Sequence, residues 1–410
     1  MAVHSHGILR FAAVAALVLV FMSASAQEFW VKGDSTQYVQ AIEVLTPRLR
    51  SDVRGRVTVR FRAPGMDRAA ARSAAYDRSG QSRHISLTPK PITLKADGSG
   101  EFSFKSSDMP SGPFTVQIYA VNAAGKRDLF ELQLYNKGRS KVKAPVGIPD
   151  TIPAPARGMR LAYSDDFDGP LSISRDGRGA RYNAHKPRFG DFSGWPFSDP
   201  EGEANPFGQR DSYLIIRARK PEGSRGSTGL IASVDMDGKG FRAKAPFYME
   251  CRFIAHSAPG TWPAFWTITN INRGPGDELD TVEAYGGWGT GNPNDTGYWV
   301  TSHFWGQKKP DGSPMEHPGR HILIDNTAGN TSWSEAFHTY GLYVDEQDTI
   351  YYFDDKEVWR HPTNPVSFSD PHVFLINYAI GGGSGWSIDL KRYGNASDMF
   401  VDYVRVFTKE

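Results

Sequence analysis

The sequence predicts an all-β chain, a small Ig-like β-sandwich followed by a larger two-sheet jelly-roll sandwich. Three observations lead there. Short runs of alternating apolar and polar residues recur along most of the chain. Almost nothing between them carries the period of an amphipathic helix. Turn formers are abundant, with Gly 42 and Pro 27 in 410 residues. That length suits two domains and at least one large core.

The elements follow in order. Residues 1–26 read as a secretory signal peptide: Arg10, an apolar run from Phe11 to Met22, and the small-residue site Ala24-Ser25-Ala26. The run is too short to span a bilayer, and no later segment approaches a spanning length. The mature chain is therefore expected to begin near Gln27 and to be secreted or periplasmic. Residues 27–143 hold the runs RVTVRFRA, GEFSFKS, PFTVQIYAVNA and LFELQLYN, which predict the small antiparallel sandwich, an accessory domain. One stretch there, MDRAAARSAAYDRSG, is expected as a short helix or a long loop. Residues 144–158 are proline-rich and unpatterned, which predicts an extended, semi-stiff linker. In residues 159–410 the strand-like runs are longer, among them SYLIIRARK, FYMECRFIA, YWVTSHFWG and HVFLINYAIGG, and they predict the jelly roll.

Charge excludes more than it suggests. With 47 basic and 45 acidic residues the net charge is +2, so no global field favours nucleic acid. The single cysteine, Cys251, forbids an intrachain disulfide, and its place in an alternating strand predicts a buried structural thiol.

The chemistry is concentrated in DELDTVEAYGG, residues 277–287. Residues two apart on a strand share a face, so Glu278 and Asp280 point together while Leu279 points away. Strict alternation would turn Glu283 to the other face. One residue absorbed as a β-bulge, Thr281 or Val282, returns it to the first two acids. No Lys or Arg interrupts the segment. Carboxylates this close oppose one another's ionisation and raise at least one pKa. A protonated carboxyl beside an ionised one is the working pair of a retaining glycosidase, provided the sheet curves enough to bring the two glutamates together.

With GTWPAFW just upstream, and with YLIIRARK, FYMECRFI, FHTYGLYVD, LINYAIGGG and FVDYVRVF in the expected order, the chain resembles glycoside hydrolase family 16 over roughly residues 160–410, in particular its laminarinase-like branch with a bulged Glu-x-Asp-x-x-Glu motif. The resemblance implies a concave jelly roll with Glu278 as nucleophile, Glu283 as general acid/base and Asp280 orienting and tuning the pair. It implies sugar-stacking roles for Trp262 and Trp266. Trp299, His303 and Trp305 share one strand face and are candidates to border the cleft, as is Arg252. In the loop-like stretch 182–197, Asn183, His185 and Trp195 are candidates for sugar subsites. A structural calcium on the convex face, with Asp166, Asp168 and Asp402 as oxygen ligands, is also implied; none is expected for catalysis.

These features predict an exported, endo-acting retaining β-glycanase, expected as a monomer, with a polysaccharide as its partner. The expected substrates are β-1,3- or β-1,3-1,4-glucan or a bacterial exopolysaccharide. A galactan hydrolase of agarase or carrageenase type, a transglycosylase, and a non-catalytic polysaccharide-binding protein are the alternatives.

Overall fold

The computed structural model describes residues 38–409 apart from 78–79, 145, 189, 272–273, 288–296 and 325–330. The expected signal peptide lies outside the described residues. Among those described, no helix is long and apolar enough to cross a membrane.

The architecture is β throughout. Two eight-stranded sheets make the jelly roll. The first runs Ile173–Ser174, Tyr182–Asn183, Leu230–Ala232, Val373–Ile380, Thr261–Ile268, Gly276–Glu283, Gly297–Trp305, Gly319–Leu323 in spatial order. The second runs Phe207–Arg210, Tyr213–Arg219, Ala396–Thr408, Phe247–Ala255, His338–Val344, Asp348–Phe353, Lys356–Pro362, and Arg160–Asp165 pairs with the far end of Ala396–Thr408. Alternation builds the core between them. Met249, Cys251 and Phe253 of the second sheet and Phe265, Leu279, Val282, Val300 and Ile376 of the first are fully buried in one cluster. Burial pushes the Cys251 thiol well up, so it stays neutral and packs as a small hydrophobe.

Preceding the jelly roll are a three-stranded sheet, Glu43–Thr46, Arg56–Arg62 and Ser99–Lys105, and a six-stranded sheet built on Arg127–Asn136, Gly112–Val121 and Arg68–Tyr76. Val57, Val59, Phe61, Phe102 and Phe104 of the first meet Phe114, Val116, Ile118, Phe130 and Leu132 of the second. The alanine-rich stretch expected as helix or loop is instead the strand Arg68–Tyr76, hydrogen-bonded to Gly112–Val121 on one side and Ser82–Ser86 on the other. Alanine favours helix, but here its small side chains fit a strand covered on both faces, and tertiary packing outweighs the local preference.

The proline-rich segment lies along the second sheet. Its carbonyls at Gly147, Pro149 and Thr151 accept from the Arg252 and Arg405 guanidiniums at 2.9, 3.0 and 3.1 Å. This placement corrects the expectation for Arg252. It sits on Phe247–Ala255, inside the second sheet, and pairs with Asp402 from the neighbouring strand. Alternation told which neighbours shared its face but not which of the two sheets carried it.

Of the three residues assigned to a calcium, Asp402 is already committed elsewhere. Asp402 is fully buried, accepting from Gly147 N at 2.8 Å and from Arg252 Nε at 2.5 Å. The guanidinium already supplies the positive charge that a cation would bring. Asp166 and Asp168 lie close enough to repel each other, so burial and then Asp168 raise the Asp166 carboxyl. Replacing Arg252 with Met strands a buried carboxylate. Breaking such a pair costs about 3–5 kcal/mol, so the urea midpoint should fall steeply at unchanged m-value. A midpoint within error of the parent would show that the pair contributes nothing.

Candidate active site

The acids lie on the strand Gly276–Glu283, in the middle of the first sheet. Its start is anchored by a fourth acid. Asp277 accepts from Ser367 and Gln307, and its N–H donates to Thr269 Oγ1 at 2.9 Å. Across the sheet Glu278 faces His303, Asp280 faces Thr301 and Glu283 faces Trp299. Two residues, Thr281 and Val282, therefore stand opposite the single Val300. This is the bulge the spacing requires, and the strand Thr261–Ile268 on the other side shows the same shift. Val282 drops into the core beside Leu279, while Glu278, Asp280 and Glu283 line one cavity of about 190 Å³.

Each acid has its own surroundings. The Tyr285 hydroxyl donates to Glu283 Oε1 at 3.0 Å. The Trp262 indole N–H is buried facing the same carboxylate, without reaching full hydrogen-bond geometry. His303 Nε2 lies 3.3 Å from Asp280 Oδ2, and the imidazole stacks on Trp305 at 4.7 Å between centroids. Trp305 in turn faces Glu278, and the Lys186 ammonium acts on the same carboxylate. Lys186 and Glu278 also line a second cavity of about 340 Å³ that continues past Trp305.

Electrostatics follow from burial. Desolvation, then repulsion from Glu283, pushes Glu278 up to about 7, against the pull of Trp305 and Lys186. Asp280 is also raised well above the usual carboxylate range, by desolvation and by both glutamates. Desolvation also raises Glu283, opposed by the Tyr285 and Trp262 donors. His303 is pushed down to about 4 by burial and by His317, so it is neutral at neutral pH. Burial and mutual repulsion thus oppose ionisation throughout the cluster.

Aromatic faces frame the acids. Trp266 Nε1 donates to Asn377 Oδ1 at 2.8 Å, and Asn377 Nδ2 donates to the Trp262 carbonyl at 3.1 Å, so the two tryptophans share one clamp. Trp262 packs against Phe192 and Tyr285, with centroids 5.2 and 5.6 Å away.

Residues 237–387 match the family model described as glycosyl hydrolases family 16. That match covers the strand with the three acids and its neighbours, so this part of the chain is similar to family 16 glycosyl hydrolases. A protein named endo-1,3-1,4-beta-glycanase EglC, from Rhizobium meliloti (strain 1021), is 29 % identical over 221 residues, 52 % of this chain and 42 % of that protein. A second from the same organism, endo-1,3-1,4-beta-glycanase ExsH, is 27 % identical over 218 residues, again 52 % and 42 %. The chain thus spans less than half the length of these relatives. Among solved structures, SCLam, described as a non-specific endo-beta-1,3(4)-glucanase from this family, is 21 % identical, with TM-score 0.49, over 65 % of this chain and 96 % of that one.

The first sheet and its loops bring together Trp262, Trp266, His303 and Trp305 around the acids. Trp299 stands opposite Glu283 but stacks on His321, with centroids 5.4 Å apart. The candidates from 182–197 are not gathered there. Asn183 is fully buried with its amide on Met236 Sδ, at 3.1 Å. Trp195 is buried in the core over Gly226, whose missing Cβ leaves room for the indole. His185 Nε2 pairs with Asp199 at 2.7 Å in a separate depression shared with Arg175. A loop carries no period from which to infer direction, so its interior and cleft residues look alike in sequence. Lys186 and Phe192 of the same stretch do reach the acids, as do Tyr285 and Asn377. Tyr285 was the most accessible of these to sequence reasoning, standing two residues beyond Glu283.

Proposed function

We propose that this protein is an exported endo-acting β-glycanase that hydrolyses β-1,3- or β-1,3-1,4-linked glucan, or a bacterial exopolysaccharide with such linkages, with retention of configuration. The observation that carries the reading is the Thr281–Val282 bulge, which puts Glu278, Asp280 and Glu283 in one cavity beneath tryptophans. The match of residues 237–387 to the family 16 model and the names of the relatives support the linkage class.

In this reading the Glu278 carboxylate attacks the anomeric carbon as the glycosidic C–O bond breaks. Glu283 delivers its proton to the departing oxygen. Glu283 then takes a proton from water, whose oxygen attacks the same carbon and releases Glu278. Two inversions give retention. Asp280, buried beside Glu278, orients that carboxyl and tunes its ionisation, while neutral His303 fixes the Asp280 side chain. Trp262 and Trp266 offer indole faces to the sugar rings, and remote binding of this kind holds the bond in line.

The test is incubation with curdlan, laminarin, lichenan, agarose, κ-carrageenan and an acidic exopolysaccharide. Product sizes are followed by chromatography and the first anomer formed by proton NMR. Short oligomers appearing early, with β-anomers first, are expected from a β-glucan. Survival of every polymer, or α-anomers first, would overturn the reading. Lys186 favours a second reading within the same chemistry, a polymer bearing anionic substituents, because its ammonium lines both cavities beside Glu278.

Lys186 also makes a pH prediction. Its positive charge favours ionised Glu278, so Lys186→Met should raise that pKa further. Attack needs the carboxylate, so the acidic limb of kcat/KM should move to higher pH. A limb that stays in place, or moves down, would remove Lys186 from the site's electrostatics.

A further inference from the structure

The six-stranded N-terminal sheet touches the turn on which the segment following Glu283 packs. Its strand Arg127–Asn136 runs against residues 256–258, the turn leading into Thr261–Ile268. Glu131 Oε2 accepts from Ser257 N at 3.1 Å, and the Glu131 carbonyl bonds His256 Nε2 at 2.9 Å. Gln117 and Ser334 donate to Glu131 Oε1 at 2.9 and 2.7 Å, holding that side chain in one orientation. Glu131, His256 and Ser257 are all buried.

From Ser257 the connection continues to the acid. Ser257 Oγ accepts from Gly287 N at 3.1 Å, and Gly286 N donates to the Thr261 carbonyl at 2.8 Å. The two glycines are what let this contact close. A Cβ on Gly286 would lie 2.0 Å from Thr261 Oγ1, and one on Gly287 would lie 2.7 Å from Pro259 Cα, where φ is +108°. Residues 284–287 are therefore pressed flat onto the 256–261 turn. Tyr285, in the middle, reaches back to Glu283.

We infer that the N-terminal module is a fixed brace for the acid/base segment, with Glu131 and Ser257 as positioning residues that hold Tyr285 against Glu283 through Gly287. A tethered sugar-binding module would be joined to its enzyme by a flexible connection. Here the contact is instead buried and polar, and it ends two residues from the Glu283 donor. Asp128 adds to it, accepting from Arg392 at 2.8 Å, and Gln133 Nε2 donates to the Asp398 carbonyl at 3.1 Å.

The catalytic part of this inference rests on the glycanase reading above, so the test has an arm that does not need turnover. Full-length Ser257→Ala, Glu131→Ala and the double variant are compared with the parent. Hydrogen exchange at the amides of 284–287 should rise in all three, whether or not any substrate is cleaved. On the substrate that the parent cleaves, kcat should fall about three- to tenfold in each single variant, with KM within about twofold. The alkaline limb of kcat, set by Glu283, should shift. The double variant should be no worse than the poorer single one, because the residues act in one chain. Unchanged exchange at 284–287 would overturn the brace. So would a lowered melting temperature with kcat and its pH profile intact, or losses that multiply. A parent inactive on every polymer, with exchange still raised in the variants, would sink the glycanase reading and leave the brace standing.

Discussion

Glu278→Gln should lower kcat/KM on the parent's substrate by about 10⁴-fold, equivalent to about 5.5 kcal/mol of transition-state stabilisation. The amide keeps the shape of the side chain but cannot form the glycosyl ester, so the loss should fall on kcat. Folding should not suffer. Burial works against the Glu278 charge, so the neutral amide should leave the melting temperature unchanged or raised. The smaller Glu278→Ala variant permits a sharper check: azide added to it should occupy the vacated space and give the α-glycosyl azide. Residual activity of Glu278→Gln within tenfold of the parent would remove Glu278 from the nucleophile's role.

Glu283→Ala should lose about 10²–10⁴-fold on polysaccharide, the usual range for a general acid/base. An aryl glycoside with an activated leaving group needs no proton to depart, so on it the first step should survive and deglycosylation should become limiting. Azide should then restore turnover and give the β-glycosyl azide, of opposite configuration to that from Glu278→Ala. Glu278 and Glu283 are both raised by burial, so the direction of those shifts alone does not separate nucleophile from acid. Product configuration does. The same azide anomer from both variants would contradict the assignment.

Much of this site was legible because strand geometry converts spacing into direction. Period two put Glu278 and Asp280 on one face. The apolar Leu279 and Val282 showed where the core lay, and the extra residue before Glu283 demanded a bulge, which the register with Thr301 and Trp299 displays. The same rule failed where it says nothing. It placed Arg252 on a face but not in a sheet, and in the structure that face belongs to a buried pair with Asp402. It had no hold on the loop 182–197, where Trp195 turns inward while Lys186 turns toward the acids. Local preference misled at Arg68–Tyr76, where the alanines pack in a covered strand. Asn377, more than a hundred residues from the tryptophans it clamps, arrives through a strand pairing that no local pattern encodes.

The most direct test of the central claim is to intercept the covalent intermediate. The protein is incubated with a 2-deoxy-2-fluoro β-glycosyl fluoride of the oligosaccharide it cleaves, digested, and mapped by mass spectrometry. The account predicts one added glycosyl mass, on the peptide holding residues 277–287 and localised to Glu278. Attachment to Glu283 or to another residue, or time-dependent turnover with no adduct at any stage, would contradict it.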